Sequence, residues 1–412
     1  MPNVGFLLLH PSTHSLASFT RVRELSLNLA QEGFNVFIFT PYEEHGKLNG
    51  KVKVVKTPGF PTPSPLPRGL SGLAYNLTRR IYYSSRLQKP LLYLIIKRYI
   101  YGNSTPAPLA KLISEKYKID ILQAEQDNAG LLVLGLRDKF KGPLVLDLHG
   151  IWTEELIAAG TITRGSEEYL ILQRLMSRLL NSFDAVLVLG DEMKEYVLNK
   201  YKVPEEKIEI VPPGGYPRVE NIPERRGPPR IVYAGTLTYS KGLELILQTM
   251  YKVNARNPKV RFYLTRRGEL VREVIQASRS MRINVKLFWF KDPPNFYDFL
   301  SKCHVGLQIA KPTLSAKLNI PSKVFDYFSV GLPVVVNDIG GWVNLLRECK
   351  AGLAVKGGAE ELAEALLWLI SDSEVLHEYS VNALNVVRED YNWGNIARRL
   401  AKVYDRLLGE RG

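Results

Sequence analysis

Unbroken apolar runs alternate with amphipathic stretches along the whole chain. VGFLLL at 4–9 reads as a buried strand and HPSTHSLASF as the polar loop after it. FTRVRELSLNLAQEG at 19–33 sets Val22, Leu25 and Leu29 at helical spacing and stops on Gly33. NVFIFT at 35–40 is a second continuous apolar run. Strand, loop, helix and strand within one short segment make a βαβ unit, and strands apolar on both faces suit a parallel sheet covered on both sides. The rhythm recurs in DILQAE (120–125), PLVLDLHG (143–150), AVLVLG (185–190) and IEIVPPG (208–214). Residues 204–230 hold seven prolines and read as a linker. Beyond them RIVYAG (230–235), a helix from Gly242, KVRFYL (259–264), NVKLFWF (284–290), VGLQIA (305–310) and PVVVND (333–338) repeat the pattern. The last segment, YNWGNIARRLAKVYDRLLG, places Ile396, Leu400, Val403 and Leu407 on one stripe. The pattern predicts an α/β chain of two doubly wound, Rossmann-like halves, 1–215 and 216–390, followed by a helix over 391–412.

Composition agrees. A chain of 412 residues exceeds one ordinary core, and 45% apolar with 23% charged residues is a globular balance. Apolar runs such as LLYLII at 91–96 fall far short of the roughly 18–20 residues that span a bilayer. Met-Pro-Asn leads straight into VGFLLLH without a basic n-region or cleavage site, so no signal peptide and a cytoplasmic location are expected. Cys303 and Cys349 offer neither metal spacing nor a disulfide framework.

The net charge of +14 is unevenly placed. His45 to Ser114 holds 12 Lys or Arg and no acid, whereas the rest of 1–215 holds 14 basic and 21 acidic residues. Within that window, residues 68–101 interleave basic side chains with Leu, Ile and six tyrosines. This suits peripheral association with an anionic membrane surface. A helix pair with a buried aromatic face gives the same pattern. Aromatic-basic interleaving also occurs in single-strand binders, but no nucleic-acid motif accompanies it, and no nucleic-acid partner is expected.

Candidate chemistry follows from topology. Open parallel sheets bind ligands beyond the carboxyl ends of their strands, which singles out His10–Ser18, His149, Gly235–Lys241, Thr265–Gly268, Phe290–Lys291 and IPSKVFDYFSVGLPVVV (320–336). In AGTLTYSKGLELI, Lys241 stands at the mouth of a helix, where free N–H groups and a full charge suit phosphate; a solvated lysine is the plain alternative. In the second segment Ser322 reads as an N-cap, and Lys323 and Asp326 share a helix face; a surface ion pair is the alternative there. His149 after an apolar strand is either a ligand-facing imidazole or a satisfied structural one. His14 fits loop exposure equally well.

KVFDYFSVGLPVVVNDIGG resembles the "K-l-x-E-y-x-a-x-G-k-P-V-V" segment of the retaining GT-B glycosyltransferases of family 4. VYAGTLTYSKGLELIL resembles their donor-phosphate segment, IEIVPPGGYP their inter-domain segment, VLDLHG the strand ending in an active-site His, and RVRELSLNLAQEGFNVFIFT their first helix and second strand. YNWGNIARRLAKVYDRLL resembles the terminal helix that crosses back to the N-domain. The resemblance covers nearly the whole chain in order. It implies a GT-B fold of two domains facing a cleft, with the acceptor on 1–215 and the donor on 216–390. It implies retaining, metal-independent transfer of a sugar from a UDP- or GDP-sugar to an acceptor alcohol on a glycan or lipid-linked acceptor, the nucleotide sugar being substrate and no cofactor being needed. The implied catalytic residues are His149, Lys241 and Lys323, His149 as a neutral imidazole beside the transferred sugar. The implied donor site is Gly235, Thr236, Lys241, Arg266, Phe290, Ser322, Lys323 and Asp326, with Asp326 on the ribose. His14, Ser15 and Ser18 fall in the acceptor-side loop.

The chain departs from the family at five places. Leu318 stands where a first glutamate is usual, Thr236 for an Arg, Ser15–Ser18 for a Gly-Gly pair, Pro213 for an Asn and Asn344 for an acid. These leave room for a sugar-nucleotide epimerase or a non-catalytic GT-B binding module.

Overall fold

The computed structural model describes the whole chain except residues 10–15, 42–47, 49–51, 58–106, 239–240, 291–292 and 411–412. The basic window 68–101, His14 and Ser15 therefore lie outside the described residues. The chain divides into two compact units, Met1–Val211 with Ala397–Gly412, and Pro212–Ile396. Their boundary falls inside the proline-rich stretch.

The first unit is built on seven parallel strands: β1 (Asn3–Leu7), β2 (Asn35–Thr40), β3 (Val52–Lys56), β4 (Ile121–Glu125), β5 (Leu144–Asp147), β6 (Ala185–Val188) and β7 (Ile208–Ile210), in the order β3-β2-β1-β4-β5-β6-β7. β4, β5 and β6 are buried along their whole length, which is why they read as unbroken apolar runs. The apolar pattern missed β3. Its VKVVK alternates buried and exposed positions because it is an edge strand. The first helix, Leu16–Leu29, starts earlier than the spacing predicted, so Ser18 sits in a helix rather than in a loop. The final helix, Trp393–Gly409, buries Ile396, Leu400, Val403 and Leu407 as expected and also Tyr404, which meets Phe34 edge-to-face at 5.8 Å.

The second unit carries six parallel strands: β8 (Arg230–Tyr233), β9 (Arg261–Thr265), β10 (Val285–Phe288), β11 (Val305–Gln308), β12 (Val334–Asn337) and β13 (Gly352–Val355), in the order β10-β9-β8-β11-β12-β13. β13 was not foreseen; four small or aliphatic residues carry no period. In each sheet the strand order reverses once, between β1 and β4 and between β8 and β11. Strand ends at such reversals are where doubly wound sheets hold ligands.

One side chain fixes the position of 320–336. Tyr327 is fully buried; its hydroxyl accepts the Ala234 N–H at 2.7 Å and lies 3.3 Å from the Leu307 carbonyl. Its ring packs where Gly306 has no side chain, since a Cβ there would come within 2.5 Å of the ring. The helix Lys323–Phe328 is thereby pinned to β8 and β11, and Gly331, at φ +62°, turns the chain back toward β12. Tyr327→Phe should lose about 1–3 kcal/mol of stability, because the buried Ala234 N–H is left unpaired. Denaturant unfolding measures this, and an unchanged midpoint would refute the pinning role.

Candidate functional site

In the first unit the ends of β4 and β5 build a buried ionic cluster. Parallel register pairs Glu125 with Asp147. Side chains two apart share a face, so Gln123 joins Glu125 and His149 joins Asp147. Arg21, from the helix Leu16–Leu29, donates to both Asp147 oxygens, Nε to Oδ2 at 2.7 Å and Nη2 to Oδ1 at 3.1 Å, and to the Val211 carbonyl at 2.8 Å. His149 Nε2 lies 3.1 Å from Glu125 Oε2 and 3.6 Å from Asp147 Oδ2. The 3.1 Å contact is close for an ion pair but poorly aligned as a hydrogen bond, and both atoms lack any other partner. Gln123 donates to Glu125 Oε1 at 2.7 Å and accepts the Tyr404 hydroxyl at 2.6 Å.

The charges of this cluster set one another. Burial opposes an imidazolium at His149, but Asp147 and Glu125 outweigh it and raise the ring to about 9. Burial likewise opposes the Asp147 carboxylate, and Arg21 and His149 bring it down to about 2. Burial and the neighbouring Asp147 charge raise Glu125. These neighbours favour an imidazolium at His149, where the sequence reading expected a neutral imidazole. Its Nδ1 lies 3.0 Å from Ser18 Oγ and 3.1 Å from the Gln126 carboxamide. A doubly protonated ring needs the amide oxygen of Gln126 on Nδ1, an orientation reached by turning the amide over. Gln126 is held at φ +68°, a left-handed conformation uncommon outside glycine. Glu125, Asp147 and His149 bring three ligand-type atoms within 4.8 Å of one another. Arg21 holds both Asp147 oxygens, which competes with a divalent ion for that carboxylate.

In the second unit the sequence-predicted residues gather around Lys323. Its Nζ lies over the Tyr233 ring, 4.6 Å from the centroid. Gly235 leaves room for it; a Cβ there would strike both Lys323 Nζ and Tyr233. Burial, and then the like charge of Lys241, lower Lys323 to about 7 against the pull of Asp326. Burial raises Asp326 to about 6, although the Tyr297 hydroxyl donates to its Oδ1 at 2.7 Å and Arg218 and Lys323 favour its charge. Arg218 lies on the Tyr297 ring, 4.7 Å from the centroid.

The other sequence-predicted donor residues have these surroundings, and only the capping expected of Ser322 is not made. Ser322 is half-buried, has helical dihedrals and caps nothing with its side chain, and the Val324 and Phe325 amides are taken by Pro321 and Ser322 carbonyls. Phe290 is half-buried and packs against the core through aromatics, with Phe299 at 5.3 Å and Phe288 at 5.9 Å. Thr236 and Arg266 are exposed, and only the Arg266 backbone is fixed, by an N–H bond to the Phe288 carbonyl at 2.7 Å. Lys241 is exposed at the start of the helix Leu243–Arg256. Leu318 is buried in the helix Leu314–Leu318 and brings no charge to the site. Glu125, Asp147 and Arg21 in the first unit, and Tyr233, Tyr297 and Arg218 in the second, were missed. Only QAE before the Gln126 helix and the Asp of VLDLHG carried a signal, as polar residues at period two in apolar strands.

Residues 19–214 match the family model described as Glycosyltransferase Family 4, and residues 228–372 the one described as Glycosyl transferases group 1. The uncharacterized glycosyltransferase MJ1607 of Methanocaldococcus jannaschii is 25% identical over 243 residues, 53% of this chain and 59% of that protein. The phosphatidylinositol N-acetylglucosaminyltransferase gpi3 subunit of Schizosaccharomyces pombe is 25% identical over 189 residues, 44% of this chain and 39% of that protein. The chain thus spans less than two thirds of these curated relatives. Anabaena Alr3699/HepE, solved in complex with UDP and glucose, superposes with a TM-score of 0.68 at 14% identity, over 98% of this chain and 100% of that one. That likeness is one of fold.

Lys323 has a measurable signature. Its folded-state value of about 7 lies below the ordinary 10.5, so between those values the folded chain binds fewer protons than the unfolded one and stability rises with pH. His149, raised from 6.5 to about 9, has the opposite sign between those values. The comparison is therefore with Lys323→Met: from pH 7 to 10 the native protein should gain stability relative to this variant. Parallel unfolding curves would contradict a buried, depressed Lys323.

Proposed function

We propose that this chain, which belongs to the group 1 glycosyl transferases with family 4 character in its first unit, transfers a sugar from a UDP- or GDP-sugar to an acceptor alcohol with retained configuration. The observation that carries the proposal is the half-compensated cation at the end of β8. Lys323 is depressed by burial and by Lys241, and one carboxylate, Asp326, stands beside it. A diphosphate arriving there would keep Lys323 charged and meet Lys241 as well, which favours binding and stabilises the same diphosphate as it leaves. Asp326 is oriented by Tyr297 to accept ribose hydroxyls.

The acceptor reading is a lipid-linked or glycan alcohol at an anionic membrane surface. Its support is the acid-free basic stretch 68–101 and the lipid in the name of the S. pombe relative. Buried Leu318, in place of a family glutamate, favours a second reading in which the chain binds a nucleotide sugar without transferring it.

A panel of UDP-, GDP- and ADP-sugars separates these. Nucleoside diphosphate released only with acceptor supports transfer. Binding without release supports the second reading, and an altered sugar on an intact nucleotide supports epimerisation. Lys241→Ala and Asp326→Ala should each weaken nucleoside diphosphate binding by calorimetry, by about tenfold or 1.4 kcal/mol. Unchanged affinity in both would displace the donor site from this position. Vesicles containing an anionic lipid should sediment the protein at low salt and release it at high salt; equal sedimentation with neutral vesicles would remove the membrane part.

A further inference from the structure

We propose that Glu125 is a positioning residue for His149: its Oε2 holds the imidazole through Nε2, and a string of buried hydrogen bonds from Tyr404 through Gln123 holds Glu125. The two carboxylates near the ring are not equivalent. Asp147 is engaged on both oxygens by Arg21 and stands 3.6 Å from Nε2. Glu125 is fully buried, spends Oε1 on Gln123 at 2.7 Å, and among the described residues its Oε2 has no hydrogen-bond partner and faces the ring nitrogen 3.1 Å away. By contact Arg21 is paired with Asp147 and Glu125 is the carboxylate nearest Nε2, while Asp147 still adds its charge to the ring's surroundings. Gln123 cannot release Glu125 freely, because its own oxygen takes the Tyr404 hydroxyl at 2.6 Å and its nitrogen also faces Asp147 Oδ2 at 3.5 Å. The final helix of the chain is thus tied to the histidine through three side chains.

Among the described residues, five elements bring groups to the ring or to its carboxylates. β4 brings Glu125, β5 brings Asp147, the first helix brings Arg21 and Ser18, the helix Gln126–Leu134 brings Gln126 and Asp127, and the final helix brings Tyr404. Ser18 and Gln126 meet Nδ1, and Asp127 acts only at longer range. Glu125 is therefore the one whose removal strips Nε2 of its acceptor. The consequence for reaction rests on the reading above, in which His149 serves sugar transfer; the positioning itself does not.

The test uses the full chain labelled at histidine nitrogens, with His149→Gln to assign the resonance. In the native protein His149 should titrate well above 6.5. Glu125→Gln, which keeps the shape and can turn an amide N–H toward Nε2, should lower that midpoint by about one unit or more. Tyr404→Phe keeps the ring and deletes only the hydroxyl; the midpoint should stay high while the Nε2–H exchanges with solvent several-fold faster. In transfer assays Glu125→Gln should cut kcat about tenfold or more, leave the donor KM within about twofold and bring the alkaline limb of the pH profile down with the His149 midpoint. A His149 midpoint unmoved in Glu125→Gln, or exchange unmoved in Tyr404→Phe, overturns the proposal. If Glu125→Gln does not fold, the exchange measurement on Tyr404→Phe decides alone. A chain that shifts its histidine as expected but transfers no sugar would refute the proposed function and leave the positioning role standing.

Discussion

Register places Glu125 directly opposite Asp147, so two carboxylates must be buried side by side at the ends of β4 and β5. Two such charges in a low-dielectric interior are untenable without cations. Arg21 and His149 answer that constraint, and much of the first unit's geometry follows. The helix Leu16–Leu29 must bring a guanidinium to the strand ends, the residue two beyond Asp147 must be a base, and Gln126 must take a left-handed conformation to reach that base. Gln123 and Tyr404 then fix the one carboxylate that Arg21 does not reach.

The second unit solves a different problem at the carboxyl end of β8 in its own sheet. Here a lysine is buried and the nearest acid is engaged by a tyrosine hydroxyl. Lys323 pays for its burial with a depressed affinity for its proton, and the like charge of Lys241 depresses it further. What keeps it there is packing: Tyr327 is locked under β8 and β11, four residues along the same short helix segment. A site whose cation is underpaid in charge but fixed in position is preorganised for an anion, since binding changes protonation rather than geometry.

The fold was legible because parallel strands buried on both faces leave runs that no amphipathic element imitates. β3 and β13 escaped for opposite reasons, one being an edge strand with lysines and the other too short to show a period. Lys323, Lys241, Gly235 and Asp326, which the structure brings together, were singled out from punctuation, the Gly and Pro signals that mark strand-to-helix turns. The capping reading of Ser322 failed because a serine before a helix need not turn its side chain to the free amides. The charge of His149 was only half legible. It depends on Asp147, two residues away, and on Glu125, which is 24 residues away in sequence and is brought to the ring by the β4–β5 register.

The contrast between the two clusters bears on which of them recruits a charged ligand. Arg21 and His149 already face Asp147, and burial with the Asp147 charge raises Glu125, so that cluster has its charges engaged with one another. Lys323, Lys241 and Asp326 sum to a positive charge when the lysine is protonated, and that positive form is the one that burial disfavours. A dianionic ligand therefore gains from the second cluster what the first cannot give, a cation made fully ionised by the ligand's arrival. The first cluster is better suited to holding a fixed, already charged N–H donor in place. Under the proposed function, the second cluster would bind the anion and the first would orient a neutral, hydroxyl-bearing group.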